Sequence, residues 1–147
     1  MFINSLYGLH LKIRDKEWAK LKRGIPAFLP DGCSNIFECK KVFIAHNEHL
    51  HWTLYTIFIE EKFIAYYDSL NSKSPSTTFP KDFLYDWLQH ESEQIGITFV
   101  KREWTFVNVT VQKQTNGIDC GFHVIKNALL LQMDLPLMEY TVLYFYY

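Results

Sequence analysis

The sequence predicts an α+β fold, with a mostly antiparallel sheet and a buried helix packed on it. Three observations carry that expectation. Val42-Phe43-Ile44-Ala45 and Trp52 to Ile59 are β-rich runs of large apolar residues, the second interleaved with threonines. Phe63-Ile64-Ala65-Tyr66-Tyr67 follows across the charged turn Glu60-Glu61-Lys62 and returns beside the second run as a hairpin. Near Cys120 a helix begins whose Phe122, Val124, Ile125, Ala128, Leu129 and Leu131 make it apolar on most sides, so it is expected to be buried.

The remaining elements follow from local pattern. Asp15 to Leu21 predicts a short helix with an acidic start, ended by Gly24 and Pro26. Asn71 to Pro80 reads as a surface connection. Between Pro80 and Gly96, Phe83, Leu84, Trp87, Leu88 and Ile95 recur at helical spacing, predicting an amphipathic helix that covers the sheet. Phe99 to Thr110 predicts another strand, with Trp104 and Phe106 as core residues, and Gln112 to Gly117 a polar loop.

A chain of 147 residues, 48% apolar and 17% aromatic, has enough material for one core, so a single domain over residues 1–147 is expected. A net charge of −1 from 15 basic and 16 acidic residues supplies no field for nucleic acid or an anionic membrane. No apolar run approaches the length of a membrane span, and the apolar tail Tyr140 to Tyr147 is too short. Three irregularly spaced cysteines fit a reducing compartment, so an intracellular protein of the nucleus or cytoplasm is expected. Cys33, Cys39, His46, His49 and His51 do not together make a paired Cys-x2–4-Cys and His-x3–5-His motif, since five residues separate the two cysteines, and neither metal nor cofactor is expected.

The chemistry concentrates in Gln114-Thr115-Asn116-Gly117-Ile118-Asp119-Cys120-Gly121. Asp119 is placed as a helix N-cap. Cys120 then lies at the first helical position, where free N–H groups and the positive end of the helix dipole favour a thiolate. Gly121 leaves room for a substrate backbone beside the thiol. A nucleophilic thiol needs a base. His51 heads one strand and Asp68 ends its hairpin partner, so the carboxylate is in position to orient the imidazole. Gln114, in the loop before the helix, is in position to donate to an oxyanion together with the Cys120 N–H. By type alone His46 and His49 would serve equally as the base. Taken singly, Cys120 reads as a buried thiol, Asp68 as a turn residue and Gln114 as a solvated side chain.

As an ordered set, His51-Trp52-Thr53-Leu54, Tyr67-Asp68-Ser69-Leu70 and Gln114 to Gly121 resemble the Ulp/sentrin-specific protease family. The match runs from about Val42 to Leu131, and Trp52 selects His51 among the histidines. The resemblance implies a papain-like cysteine protease fold with Cys120 as nucleophile, His51 as base, Asp68 as orienting acid and Gln114 as oxyanion donor. It also implies that the partners are ubiquitin-like modifiers ending in diglycine, such as SUMO, and their conjugates; the chain itself is expected to be a monomer. Trp52 matches the family tryptophan that helps form a narrow channel over the two glycines.

Departures are also present. The family carries a longer amino-terminal half with a Trp-Leu-Asn-Asp-type element, which Glu17-Trp18-Ala19-Lys20 does not match, and only 50 residues precede His51. The chain is therefore short at that end, or a fragment. Two other activities stay open: acetyl transfer by a related Cys-His-acid set, against which the aspartate at 68 argues mildly, and binding of a modifier without cleavage.

Overall fold

The computed structural model describes residues 2–4, 29–71 and 81–137. The helix expected over Asp15 to Leu21, Trp18, most of the connection ending at Pro80 and the aromatic tail from Tyr140 lie outside these residues. Among the described residues one sheet has the order β1 (Phe2–Asn4), β2 (Lys41–Glu48), β3 (His51–Phe58), β4 (Phe63–Tyr67), β5 (Thr105–Val109). Two α-helices of the described residues accompany it, α1 (Lys81–Gln94) and α2 (Cys120–Gln132).

The three central strands pair antiparallel through adjacent hairpins, whereas β1 joins β2 and β5 joins β4 in parallel. The sheet is thus mixed, with an antiparallel centre and parallel edges. The run expected to be a strand from Phe99 is shorter: β5 starts at Thr105, after a 3₁₀ turn at Lys101–Glu103. Thr105 N–H donates to Lys62 O, so pairing starts level with the β3–β4 turn.

Alternation along the strands divides the core into two layers. Val42, Ile44, Tyr55, Ile57, Ile64 and Tyr66 pack with Leu84, Tyr85, Trp87 and Leu88 of α1. Their neighbours Phe43, Leu54, Phe58, Ala65 and Tyr67 pack with Val111 and with Val124 and Ala128 of α2. With both faces covered, the strands read as nearly continuous apolar runs, and Thr53 and Thr56 are buried along with their neighbours.

The other side of α2 corrects one expectation. Phe122, Ile125 and Leu129 are exposed, and with Ile118 before the helix and Met133 after it they form one stripe. Among the described residues the helix packs chiefly on β3 and β2. An apolar circumference implied burial all round, but burial also needs a second layer to cover the far side.

Two local features bear on the site end of the sheet. The β2–β3 turn is the dipeptide His49-Leu50, with φ of 49° and 65°. A two-residue hairpin with both centres in the left-handed region is a type I′ geometry, which favours glycine and asparagine. Neither residue is one, and Leu50 is 92% exposed, so nothing is gained from its side chain to offset the strained backbone. Leu50→Gly is expected to stabilise the fold by about 1 kcal/mol, read as a raised urea midpoint at unchanged m-value.

His46 is buried in β2, edge-on to Tyr55, and burial lowers its pKa to about 4. An unfolded histidine titrates near 6.5, so between these values the unfolded chain holds the extra proton. Stability is therefore full above about pH 6.5 and falls as pH drops toward 4, by up to ~3 kcal/mol. Urea unfolding between pH 7 and 4.5 should show the slope, and His46→Gln should flatten it; an unchanged slope in that variant would refute the assignment.

Candidate active site

One end of the sheet collects four chain segments, and strand direction explains why. β4 and β5 run in parallel with Tyr67 opposite Val109, so the residues that follow each strand leave at the same edge. β3 runs the other way, and since Leu54 lies opposite Tyr67 its first residue, His51, extends to that edge as well. α2 begins there too, because its carboxyl end is fixed at the opposite edge. The ammonium of Lys41, the first residue of β2, donates to Leu131 O at 2.7 Å and pairs with Asp134 just beyond the helix. A cation there adds to the Asp134 N–H bond on a last-turn carbonyl and complements the helix dipole.

His51 Nε2 and Asp68 Oδ1 lie 2.7 Å apart. Asp68 is 4% exposed and directly follows β4. The same Oδ1 accepts from Leu70 N–H at 2.8 Å, and Asp68 O from Asn71 N–H at 2.9 Å. Asp68 is therefore also a turn residue bonding its own backbone, and the turn holds its carboxylate still. The histidines that matched by type are elsewhere: His46 is in the core and His49 is at the exposed hairpin tip, each no nearer than 3.9 Å to Glu48. His123, one turn along α2, is held below its ordinary pKa first by burial and then by Lys126.

Cys120 is buried at the first position of α2. A Cβ added to Gly121 would stand 3.6 Å from Trp52 Cδ1, an ordinary contact. Since Gly121 adjoins Cys120 and Trp52 adjoins His51, that contact brings the thiol-bearing turn alongside the start of β3. The side expected to be bare at Gly121 faces the indole.

The helix start differs from expectation in one respect. The Asp119 side chain makes no cap bond to the helix. Asn116 organises the turn instead: its Oδ1 accepts from Ile118 and Asp119 N–H, both at 3.0 Å, and its Nδ2 donates to Asp119 Oδ2 at 2.6 Å. A carboxylate already engaged by an amide three residues back is not free to turn toward the helix. The Asn116-Gly117 dipeptide signals the turn, but not which of Asn116 and Asp119 bonds the backbone.

Gln114 is 5% exposed rather than solvated. Its backbone N–H donates to Ser69 O at 2.9 Å, its Oε1 accepts from Ser69 Oγ at 2.5 Å, and its Nε2 donates to Asn116 O at 2.6 Å. The loop is further tied by Asn71 Nδ2 to Val111 O, at 3.3 Å, and by Lys126 to the Gln112 side chain. Of these partners Ser69 and Asn116 fall within the motifs read from sequence, and no role was attached to Ser69. Cys33 and Cys39 lie beyond the far end of β2, with Cys39 pushed up by burial and by the neighbouring Cys33 thiol. Among the described residues no group of three or more His, Cys, Asp or Glu could hold a metal ion.

Known proteins share this architecture. Sentrin-specific protease 2 of Pongo abelii is 29% identical over 107 residues, 70% of this chain and 18% of that protein. The chain thus spans less than a fifth of that curated relative. The catalytic domain of the Chaetomium thermophilum Ulp1-like SUMO protease superposes with a TM-score of 0.63 at 28% identity, over 74% of this chain and 41% of that one. The C-terminal Ulp1 protease domain in complex with Smt3, the yeast ortholog of SUMO, superposes with a TM-score of 0.69 at 23% identity, over 92% and 59%. These likenesses give the chain a papain-like α+β fold, its central helix packed on a mixed sheet. Residues 2–143 match the Ulp1 protease family, C-terminal catalytic domain, and the chain belongs to that family.

Proposed function

We propose that the chain is a thiol peptidase and isopeptidase that cleaves after the C-terminal diglycine of a ubiquitin-like modifier, SUMO or a relative of it. The observation that carries this reading is the 2.7 Å contact between His51 Nε2 and Asp68 Oδ1 at the edge where α2 begins. With Nε2–H donated to the carboxylate, the other imidazole nitrogen is left to serve the thiol.

In this reading His51 Nδ1 takes the Cys120 proton as Sγ attacks the carbonyl carbon of the terminal glycine. The oxyanion is met by the Cys120 backbone N–H and by the Gln114 Nε2 hydrogen that Asn116 O does not use. The tetrahedral species collapses to a thioester as His51 returns the proton to the departing lysine amine. Water, deprotonated by His51, then releases the modifier and restores the thiol. Trp52 lines the approach: its indole lies beside Gly121, and an approach flanked by an indole suits residues without side chains, such as two glycines. The relatives named as sentrin-specific and SUMO proteases, and the domain bound to Smt3, support the choice of modifier. An intracellular setting accompanies the reading, since the reactive form of Cys120 is a free thiol.

The test is a panel of ubiquitin-like modifiers, each ending in an electrophilic thiol trap. At least one should form a covalent adduct that Cys120→Ala abolishes. No adduct with any member, or acetyl transfer from acetyl-CoA instead, would overturn the proposal. On the modifier that reacts, Asp68→Asn should lower kcat by ~10²–10⁴-fold with KM little changed, because it weakens orientation of the base rather than substrate binding.

A further inference from the structure

Gln114 is held unusually tightly for a loop side chain, and the hold has a direction. A primary amide has two unlike ends, and turning it over exchanges a donor for an acceptor. Asn116 O accepts hydrogen bonds and donates none, so the end facing it at 2.6 Å must be Nε2. Oε1 then faces Ser69, whose hydroxyl donates to it at 2.5 Å. Ser69 is 3% exposed, and its own carbonyl receives the Gln114 backbone N–H, so backbone and side chain of one residue grip backbone and side chain of the other. With Oε1 bonded to Ser69 and one Nε2 hydrogen bonded to Asn116, one Nε2 hydrogen remains. Its direction is set by the other two bonds.

Ser69 also follows Asp68 in the chain. One turn therefore presents a carboxylate to His51 and a hydroxyl to Gln114. We propose that Ser69 is a positioning residue, which fixes the Gln114 amide so that its remaining Nε2 hydrogen is aimed where the oxyanion forms. This rests on the proposed thiol-peptidase reading, in which Gln114 is the donor. Ser69 touches no reacting atom in this scheme; its effect passes through Gln114. A hydroxyl donated to Oε1 also polarises the amide and strengthens Nε2–H as a donor.

The inference is tested by a double-mutant cycle on a fluorogenic C-terminal amide of the modifier that labels Cys120. Ser69→Ala is expected to lower kcat by about 10–100-fold, less than the ~10²–10³-fold lost when an oxyanion donor is removed outright, and to leave KM within about twofold. In the Gln114→Ala background the same change should cost less than about twofold, since its only route of action is gone. Equal losses in both backgrounds, or a loss confined to KM, would overturn the proposal.

A second measurement does not depend on turnover. In protein labelled with ¹⁵N, the Gln114 side-chain NH₂ should give two well-separated resonances that exchange slowly with water. In Ser69→Ala they should move together and exchange faster; signals unchanged by that substitution would also overturn the proposal. If the wild-type protein turns over no modifier, the proposed function fails, and the amide signals alone decide whether Ser69 fixes Gln114.

Discussion

The parallel pairing of β4 with β5 is the constraint on which the site depends. Antiparallel strands leave a sheet at opposite edges, whereas Tyr67 opposite Val109 sends the segments after both strands out at one edge. Asp68 and Ser69 then lie beside Val111 to Gln114, and side-chain and backbone hydrogen bonds cross between them. Each bond is worth little alone, on the order of 1 kcal/mol, but all draw the same two segments together. The carboxylate beside His51 and the amide of Gln114 are therefore linked through one turn, and displacing either disturbs the other.

The helix that carries Cys120 is fixed at both ends by different means. At its far end, Lys41 bonds Leu131 O, tying the helix to the start of β2. At its near end, Asn116 shapes the turn, and Trp52 lies against Gly121. Between these points Val124 and Ala128 are buried on the sheet while Phe122, Ile125 and Leu129 face outward. Position along the helix axis, the coordinate that matters for the thiol, is thus held by polar contacts at the termini. Apolar packing holds rotation about the axis.

Much of this was legible in the sequence. β-rich apolar runs located the central strands, the 3.6-residue pattern of Leu84, Trp87 and Leu88 located α1, and the charged turn Glu60 to Lys62 fixed the hairpin of β3 with β4. What remained hidden was non-local. The His49-Leu50 turn lacks glycine or asparagine, so no composition signal announces it. The parallel edges follow from crossovers, which no window of sequence contains. Exposure of one side of α2 depends on what covers it, and periodicity cannot report that. At the candidate site, residue types and order suggested which side chains to look for. The burial of Gln114, the engagement of Ser69 and the exchange of roles between Asp119 and Asn116 depend on geometry at the scale of single hydrogen bonds.

The pairing at the sheet edges has a consequence in time. β2, β3 and β4 are joined by tight turns and need only local contacts, whereas Phe63 finds Thr105 across about forty residues of chain. Contacts of such long range carry the greater loop-closure cost and tend to form late. The central meander can therefore exist before Gln114 has reached Ser69 or Cys120 has reached the start of β3. In a chain where only the meander has formed, His51 and Asp68 already share one edge, but Cys120 and Gln114 have not reached them. Pairing of β5 then works as a safety catch, since the four segments come together only once the most distant contact has closed.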